Sequence, residues 1–271
     1  MWHRCAKCPE ASAPRRTSRR SGSARNSSRR IRVGTQLVTA YVKAFTLGCE
    51  RWLFNEMAGG MLALRAGIGA PPGGLLWVPL AVLEAMFSGA RFSHHQGLVP
   101  CYASAPVDNG YGLAAVGLAA ATGKAHEAVA RHLLAWPGFA ACVAFDEWVA
   151  NIDRHADNLL LAGGGRIVPI DHSDCFGGPD QLDDDFTRPH AWFRNRVLED
   201  LFQPEQLPLP VKAAVVHAGE RVPDCHRQCA ADVENLRAWL GEPLGLHWTN
   251  WLETRADITA QLLRERVRML V

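Results

Sequence analysis

Long apolar runs are missing from this sequence. No stretch approaches about 18 consecutive apolar residues without a charge or a turn former, so no membrane-spanning helix is expected. The N-terminus has Arg and Ser where a secretory signal would need an apolar core. The eight cysteines show no disulfide pattern; Cys49, Cys101, Cys142 and Cys175 stand singly in apolar or helical contexts, as buried thiols of a reducing compartment do. A cytoplasmic location is the expectation these absences leave. A zinc site would have to join Cys5 and Cys8 to Cys225, His226 and Cys229, and the latter cysteines have C-x-x-x-C spacing within a helical pattern, so free thiols are expected instead.

Acidic residues are nearly absent from the first 32 positions, which carry ten Lys/Arg against Glu10 alone. The rest of the chain carries 19 Lys/Arg against 26 Asp/Glu, so a mildly acidic body is joined to a basic leader. From Arg15 to Arg30 the leader is almost all Arg, Ser, Asn and Gly, with no periodic apolar face. Such a segment cannot bury enough surface to offset backbone ordering, so residues 1–32 are expected to be disordered and residues 1–30 to add nothing to folding. Its charge suits weak contact with nucleic acid or anionic lipid, but the acidic body offers no supporting basic surface.

What is present reads as alternating small elements followed by helices. Gln36 to Phe45 has strand composition, with Lys43 near its end. Leu53, Met57, Met61 and Leu64 then recur at helical spacing between Glu50 and Ala66, and Gly67, Gly69 and the Pro71-Pro72-Gly73-Gly74 run end that helix. The Gly59-Gly60 pair inside it suits close packing. Leu75 to Leu83 is a strand or a buried segment, and Leu98 to Tyr102 a short strand in a looser region. Ala125 to Ala150 is helical in two parts, broken at Trp136-Pro137-Gly138. Leu159 to Ala162 and Arg166 to Ile170 flank three glycines and predict a β-hairpin. Beyond about residue 190 the pattern is helical, ending in a stripe of Leu252, Ile258, Leu262, Leu263, Val267 and Leu270.

Between the broken helix and the hairpin stands Asn151-Ile152-Asp153-Arg154-His155-Ala156-Asp157-Asn158. Asp153 and Asn158 have the D-x-x-x-x-N spacing of a kinase catalytic loop. That chemistry needs a carboxylate beside the attacking hydroxyl and an amide oxygen a short loop away, on a metal bound to phosphates. The hairpin returns the chain, so Asp171, at its far end, comes back toward Asn158. Carboxylate and amide oxygens are hard ligands of the kind Mg²⁺ prefers.

The string N-I-D-R-H-A-D-N, followed by a hairpin and Ile170-Asp171-His172, resembles the catalytic core of the HipA-like kinases over residues 145–176. Phosphatidylinositol 3/4-kinases are the close competitor, since they also place Arg-His directly after the catalytic Asp. Asn151 before the Asp, His172 after Asp171 and the short chain favour the HipA-like reading. The resemblance implies an α+β, two-lobed protein-kinase-like fold, with a small strand-plus-helix N-lobe at 33–105 and a mainly helical C-lobe at 106–271. It implies an ATP-dependent phosphotransferase using ATP and Mg²⁺, with Ser or Thr of a protein as acceptor. Asp153 is then the catalytic base or orienting carboxylate, Asn158 and Asp171 are metal ligands, and His155 supports the loop or approaches the phosphates.

A kinase also requires a strand Lys paired with a helix Glu. Lys43 and Glu56 fit, with Glu50 a rival partner at the helix start, where it could instead serve the helix dipole. No G-x-G-x-x-G precedes Lys43; only Gly34 lies in the right stretch. A lipid kinase and a nucleotide-binding pseudokinase therefore stay open as alternatives, although the complete Asp153, Asn158 and Asp171 set argues against decay. The acceptor itself is not legible; Ser173 to Pro189, with the acidic Asp183-Asp184-Asp185 run, is where its specificity is expected.

Overall fold

The computed structural model describes residues 24–33, 36–119, 124–179 and 186–269. Residues 1–23, Gly34, the Asp183–Asp185 run and Leu270, together with the readings placed on them, lie outside the described residues.

Part of the basic leader is a strand. Ala24–Val33 (β1) pairs antiparallel with Gln36–Phe45 (β2) in unbroken register, from Ala24 opposite Phe45 to Val33 opposite Gln36. This corrects the expectation that residues 1–32 are disordered throughout. Composition measures how much apolar surface a segment can bury by itself, whereas an edge strand is held by its neighbour's backbone and tolerates charge. The following helix, Glu50–Arg65 (α1), has an acid in its first turn and a base in its last, each complementing the helix dipole.

Gly73–Pro79 (β3) and Leu98–Ser104 (β4) complete an antiparallel sheet of order β1-β2-β4-β3. The apolar stretch read as one segment from Leu75 to Leu83 divides at Pro79, which cannot donate to a sheet ladder and leads into the helix Leu80–Met86 (α2). Each face of this sheet is covered. Phe45 and Tyr102 pack with Leu53 of α1 on one side. On the other, Val42, Ala44, Val99 and Cys101 pack with Leu83 of α2 and Phe92.

After Ser104 the chain becomes mainly helical. A two-residue strand, Tyr111–Gly112 (β5), is followed by Ala114–Ala119 (α3), a short Ala/Gly helix with no apolar period to betray it in the sequence. Ala125–Ala135 (α4) and Phe139–Trp148 (α5) are separated at the Trp136-Pro137-Gly138 break. Leu159–Ala162 (β6) and Arg166–Pro169 (β7) form the hairpin, its turn carried by Gly164 and Gly165 at φ 74°, a conformation without steric cost only for glycine. β5, β6 and β7 make a second small sheet in that order. The helices Arg196–Glu199 (α6), Leu209–Glu220 (α7), Val222–Gln228 (α8), Ala230–Leu240 (α9) and Leu244–Arg266 (α10) follow.

α5 is apolar on nearly every face and runs through the middle of this lobe, as such a helix must. α10 covers it with a stripe of Trp248, Trp251, Leu252, Ala256, Leu262 and Leu263, all buried; Ile258 is only half-buried. The two lobes share aromatic packing. Trp248 makes edge contacts with Phe54 of α1 at 5.3 Å and with Phe176 at 5.5 Å, a geometry aromatic quadrupoles favour. Among the described residues no single helix is long and apolar enough to cross a membrane.

Candidate active site

Lys43, on the inner part of β2, is the meeting point of the two lobes. Its Nζ lies 2.9 Å from Glu56 Oε2 and 3.0 Å from Asp171 Oδ1. Glu50, the rival partner, lies elsewhere, accepting hydrogen bonds from Gly48 N and Ser93 Oγ. α1 is fastened to the segment after Asp171 along several residues. Glu56 Oε2 accepts from His172 N at 3.1 Å, and Asn55 Nδ2 donates to the carbonyls of Ser173 and Cys175 at 3.0 and 2.9 Å.

Gly59 makes that approach possible, because a Cβ there would stand 2.7 Å from His172 Cβ and 2.8 Å from Cys175 Sγ. Gly59→Ala is therefore expected to push α1 outward, costing about 1–3 kcal/mol as core overpacking does. Thermal melting would register the loss, and nucleotide affinity should fall with it; a variant melting like wild type would show that the helix gives way freely.

Two carboxylates share one ammonium here, and the three groups titrate as a unit. Burial pushes Glu56 up to about 7 against the pull of Lys43, with Asp171 adding to the rise. Burial also works against ionisation of Asp171, yet Lys43 and the Ser173 hydroxyl, 2.8 Å from its Oδ1, hold its carboxyl well below the usual range. Burial opposes the charge of Lys43, and Glu56 and Asp171 together overcome it and raise its pKa. Asp171 also has φ 60°, a left-handed backbone uncommon outside glycine and typical of residues over-determined by their surroundings at functional sites.

The loop from Asn151 to Asn158 is built on a buried ion pair. Arg154 and Asp146 are both essentially inaccessible; the guanidinium Nε and Nη2 donate to the Asp146 carboxylate at 3.2–3.3 Å. Asn151 Nδ2 donates to the same carboxylate at 3.1 Å, and Asn151 Oδ1 accepts from Asp153 N at 3.2 Å. Arg154 Nη1 donates to the carbonyls of Ile170 and Asp171. Asn158 O accepts from Ile170 N at 2.9 Å. One guanidinium thus ties the loop, the helix before it and the strand end carrying Asp171.

Within the loop, Asn158 Nδ2 donates to Asp153 O at 2.8 Å, which fixes the amide so that its oxygen is the end turned away from that contact. His155 Nδ1 accepts from Asp157 N, and its Nε2 lies 3.8 Å from Asp153 Oδ2. Asp153 Oδ1 is held by Arg196, the first residue of α6. Next to Asp171, burial and then the nearby Arg154 and Lys43 hold the His172 imidazole well below its usual pKa, so it stays neutral.

A cleft of about 340 Å³ opens between the lobes. Val42, Tyr102, Leu160 and Ile170 give it apolar walls, Ser104, Ala105 and Val107 lie along the connection between lobes, and Lys43, Glu56 and Asp171 stand at its charged end. Asp153, Asn158 and His155 do not line this cleft. His155 lines a neighbouring cavity of about 470 Å³ with His126, Asp157, Arg196 and Asp200.

Sequence reasoning missed Asp146, Arg154, Asn55, Ser173 and Arg196. Asp146 carried a usable signal, being with Glu147 one of two acids in a helix whose other residues are apolar, where unpaired charge is not tolerated. Arg196 carried none, since its partner Asp153 is remote in the chain. Among the described residues no group of three or more His, Cys, Asp or Glu could hold a metal ion; Cys5 and Cys8 lie outside the described residues.

Residues 138–224, about a third of the chain, match the sequence profile of the phosphatidylinositol 3- and 4-kinase family. No curated protein matches the sequence. Among solved structures, the proinflammatory kinase CtkA of Helicobacter pylori superposes with a TM-score of 0.53, covering 92% of this chain and 94% of that one at 12% identity. At that identity the likeness concerns the fold, and the fold is two-lobed and kinase-like.

Proposed function

We propose that this chain is an ATP-dependent phosphotransferase of HipA-like type that transfers the γ-phosphoryl group to Ser or Thr of a protein. The observation that carries this reading is Lys43 held between Glu56 and Asp171 at the charged end of an apolar interlobe cleft. We take residues up to about 105 as the N-lobe and the remainder as the C-lobe. The apolar walls suit a purine, and Lys43 then reaches the α- and β-phosphates while Glu56 fixes its direction. Asp171 and the amide oxygen of Asn158 fit a magnesium site, being hard oxygen donors joined through the hydrogen bond between Ile170 N and Asn158 O. Bound there, Mg²⁺ would neutralise charge developing on the phosphates.

In the transfer, the acceptor oxygen bonds to the γ-phosphorus as the bond from that phosphorus to the β–γ bridging oxygen breaks. The bridging oxygen leaves with ADP, and the acceptor proton passes to the Asp153 carboxylate. His155, held by the backbone of Asp157, supports the loop beside it.

The family match over 138–224 favours a second acceptor, the inositol ring of a phosphoinositide. Incubating the full chain with radiolabelled ATP and Mg²⁺, once with protein extract and once with phosphatidylinositol vesicles, separates the two. Label in protein supports the first reading and label in lipid the second. Nucleotide binding with no transfer to either would make the chain a pseudokinase.

Lys43→Met should weaken ATP binding by about 10- to 100-fold, the weight of a charge-assisted hydrogen bond, without unfolding the protein. Glu56→Gln should mimic it, and the double variant should be no worse than either alone. Calorimetric titration reads all three; additive losses would show that the two residues act independently.

A further inference from the structure

Outside the Lys43 cluster, a second group of charged side chains surrounds Asp153. Arg196 Nη1 contacts Asp153 Oδ1, and its Nε donates to Asp200 Oδ2 at 2.8 Å, one turn further along. Asp200 is held in turn by Arg194. Arg196 is partly exposed, with 27% of its side-chain surface accessible, and it lines the cavity that also contains His155 and Asp157. A guanidinium is therefore anchored from behind by Asp200 and presented next to the carboxylate that would receive the acceptor proton.

A positioned cation in this place suits the transfer chemistry, and the loop's own guanidinium is not available for it. Charge spreads over the oxygens of the transferring phosphoryl group, and enzymes meet it with positioned cations. Lys43 is committed to the inner end of the cleft. The only basic residue directly following Asp153 is Arg154, whose guanidinium is spent on Asp146 and on the carbonyls of Ile170 and Asp171. His155 is turned to the backbone of Asp157.

We propose that Arg196 is a catalytic residue that moves from its contact with Asp153 to the γ-phosphoryl group during transfer. This rests on the phosphotransferase reading above. As the acceptor oxygen bonds to phosphorus and its proton moves to Asp153, that carboxylate loses its negative charge while the phosphoryl group in transit keeps charge spread over its oxygens. The guanidinium moves to that charge, turning about the fixed Nε–Asp200 contact. Its planar fork can address two phosphoryl oxygens at once, which an ammonium cannot. Asp200 is the positioning residue that keeps the fork aimed.

The test uses the full chain, Mg²⁺ and two probes: ADP alone, and ADP with aluminium fluoride, which imitates the phosphoryl group in transit. Because transition-state complementarity is at issue, Arg196→Met should lower affinity for the fluoride complex by about 10²- to 10³-fold and leave ADP affinity and melting temperature unchanged. Arg196→Lys should recover part of the loss. Asp200→Asn should give a smaller loss, again confined to the fluoride complex. Equal binding of the fluoride complex by wild type and Arg196→Met would overturn the assignment. So would an equal loss for ADP and the complex, which would make Arg196 structural. A wild-type chain that binds no ADP at all would remove the phosphotransferase reading as well.

Discussion

Asp171→Ala should abolish Mg²⁺-dependent nucleotide binding, whereas Asp153→Ala should bind ATP almost normally and transfer nothing. The difference follows from what each carboxylate touches. Asp171 lies on Lys43 at the charged end of the cleft, held ionised by the ammonium and by Ser173. Its removal takes away the anionic anchor proposed for the metal and one of the two partners of Lys43. Loss of even an outer partner of a metal site typically lowers metal affinity by about 10- to 100-fold, so removal of a direct ligand should at least reach that range. Lys43 retains Glu56 at 2.9 Å, so folding should be little affected.

Asp153 lies in the loop that faces the second cavity, paired with Arg196. As a general base it would contribute about 10²- to 10⁴-fold to the rate and little to nucleotide affinity. Titrating each variant with ATP, with and without Mg²⁺, and measuring transfer in parallel separates the roles. Equal loss of binding in both variants would show this division to be wrong.

The elements that could be read from sequence are those whose signal is local. β2, α1, the α4–α5 break and the β6–β7 hairpin each announce themselves by composition, period or glycine within a dozen residues. The juxtaposition of Lys43 with Glu56 was reachable from the sequence because the strand and helix adjoin, and Asp171 because a four-residue strand fixes how far the hairpin returns. β1 was not legible, because its stability comes from pairing with β2 and its own residues look like a solvated tail. Nor was the clamp between Asn55 and the carbonyls of Ser173 and Cys175, which joins positions far apart in the chain. Such contacts leave no periodicity behind; only the fold brings them together.

The largest effect on stability is expected at Asp146. Asp146→Asn keeps the volume but leaves the Arg154 guanidinium charged in a site from which water is excluded. Burial disfavours the ionised Asp146 carboxylate, and it is Arg154 and Asn151 that make ionisation tolerable. Breaking such a pair from one side costs about 3–5 kcal/mol, since the remaining charge cannot be solvated. For a chain of this size that corresponds to a melting temperature lower by roughly 10 °C.

Transfer should fail even at temperatures where the variant stays folded. Arg154 is also what binds the loop to the carbonyls of Ile170 and Asp171. A second variant distinguishes the two consequences. Asp146→Leu combined with Arg154→Met removes both charges and should regain part of the lost melting temperature, because a well-packed apolar pair avoids the desolvation cost. It should not regain transfer, since methionine cannot donate to either carbonyl and only backbone pairing then holds Asp171 near Asn158. Measuring melting and transfer on both variants decides the matter. If the double variant transferred phosphate at the wild-type rate, Arg154 would be stabilising the fold without organising the site.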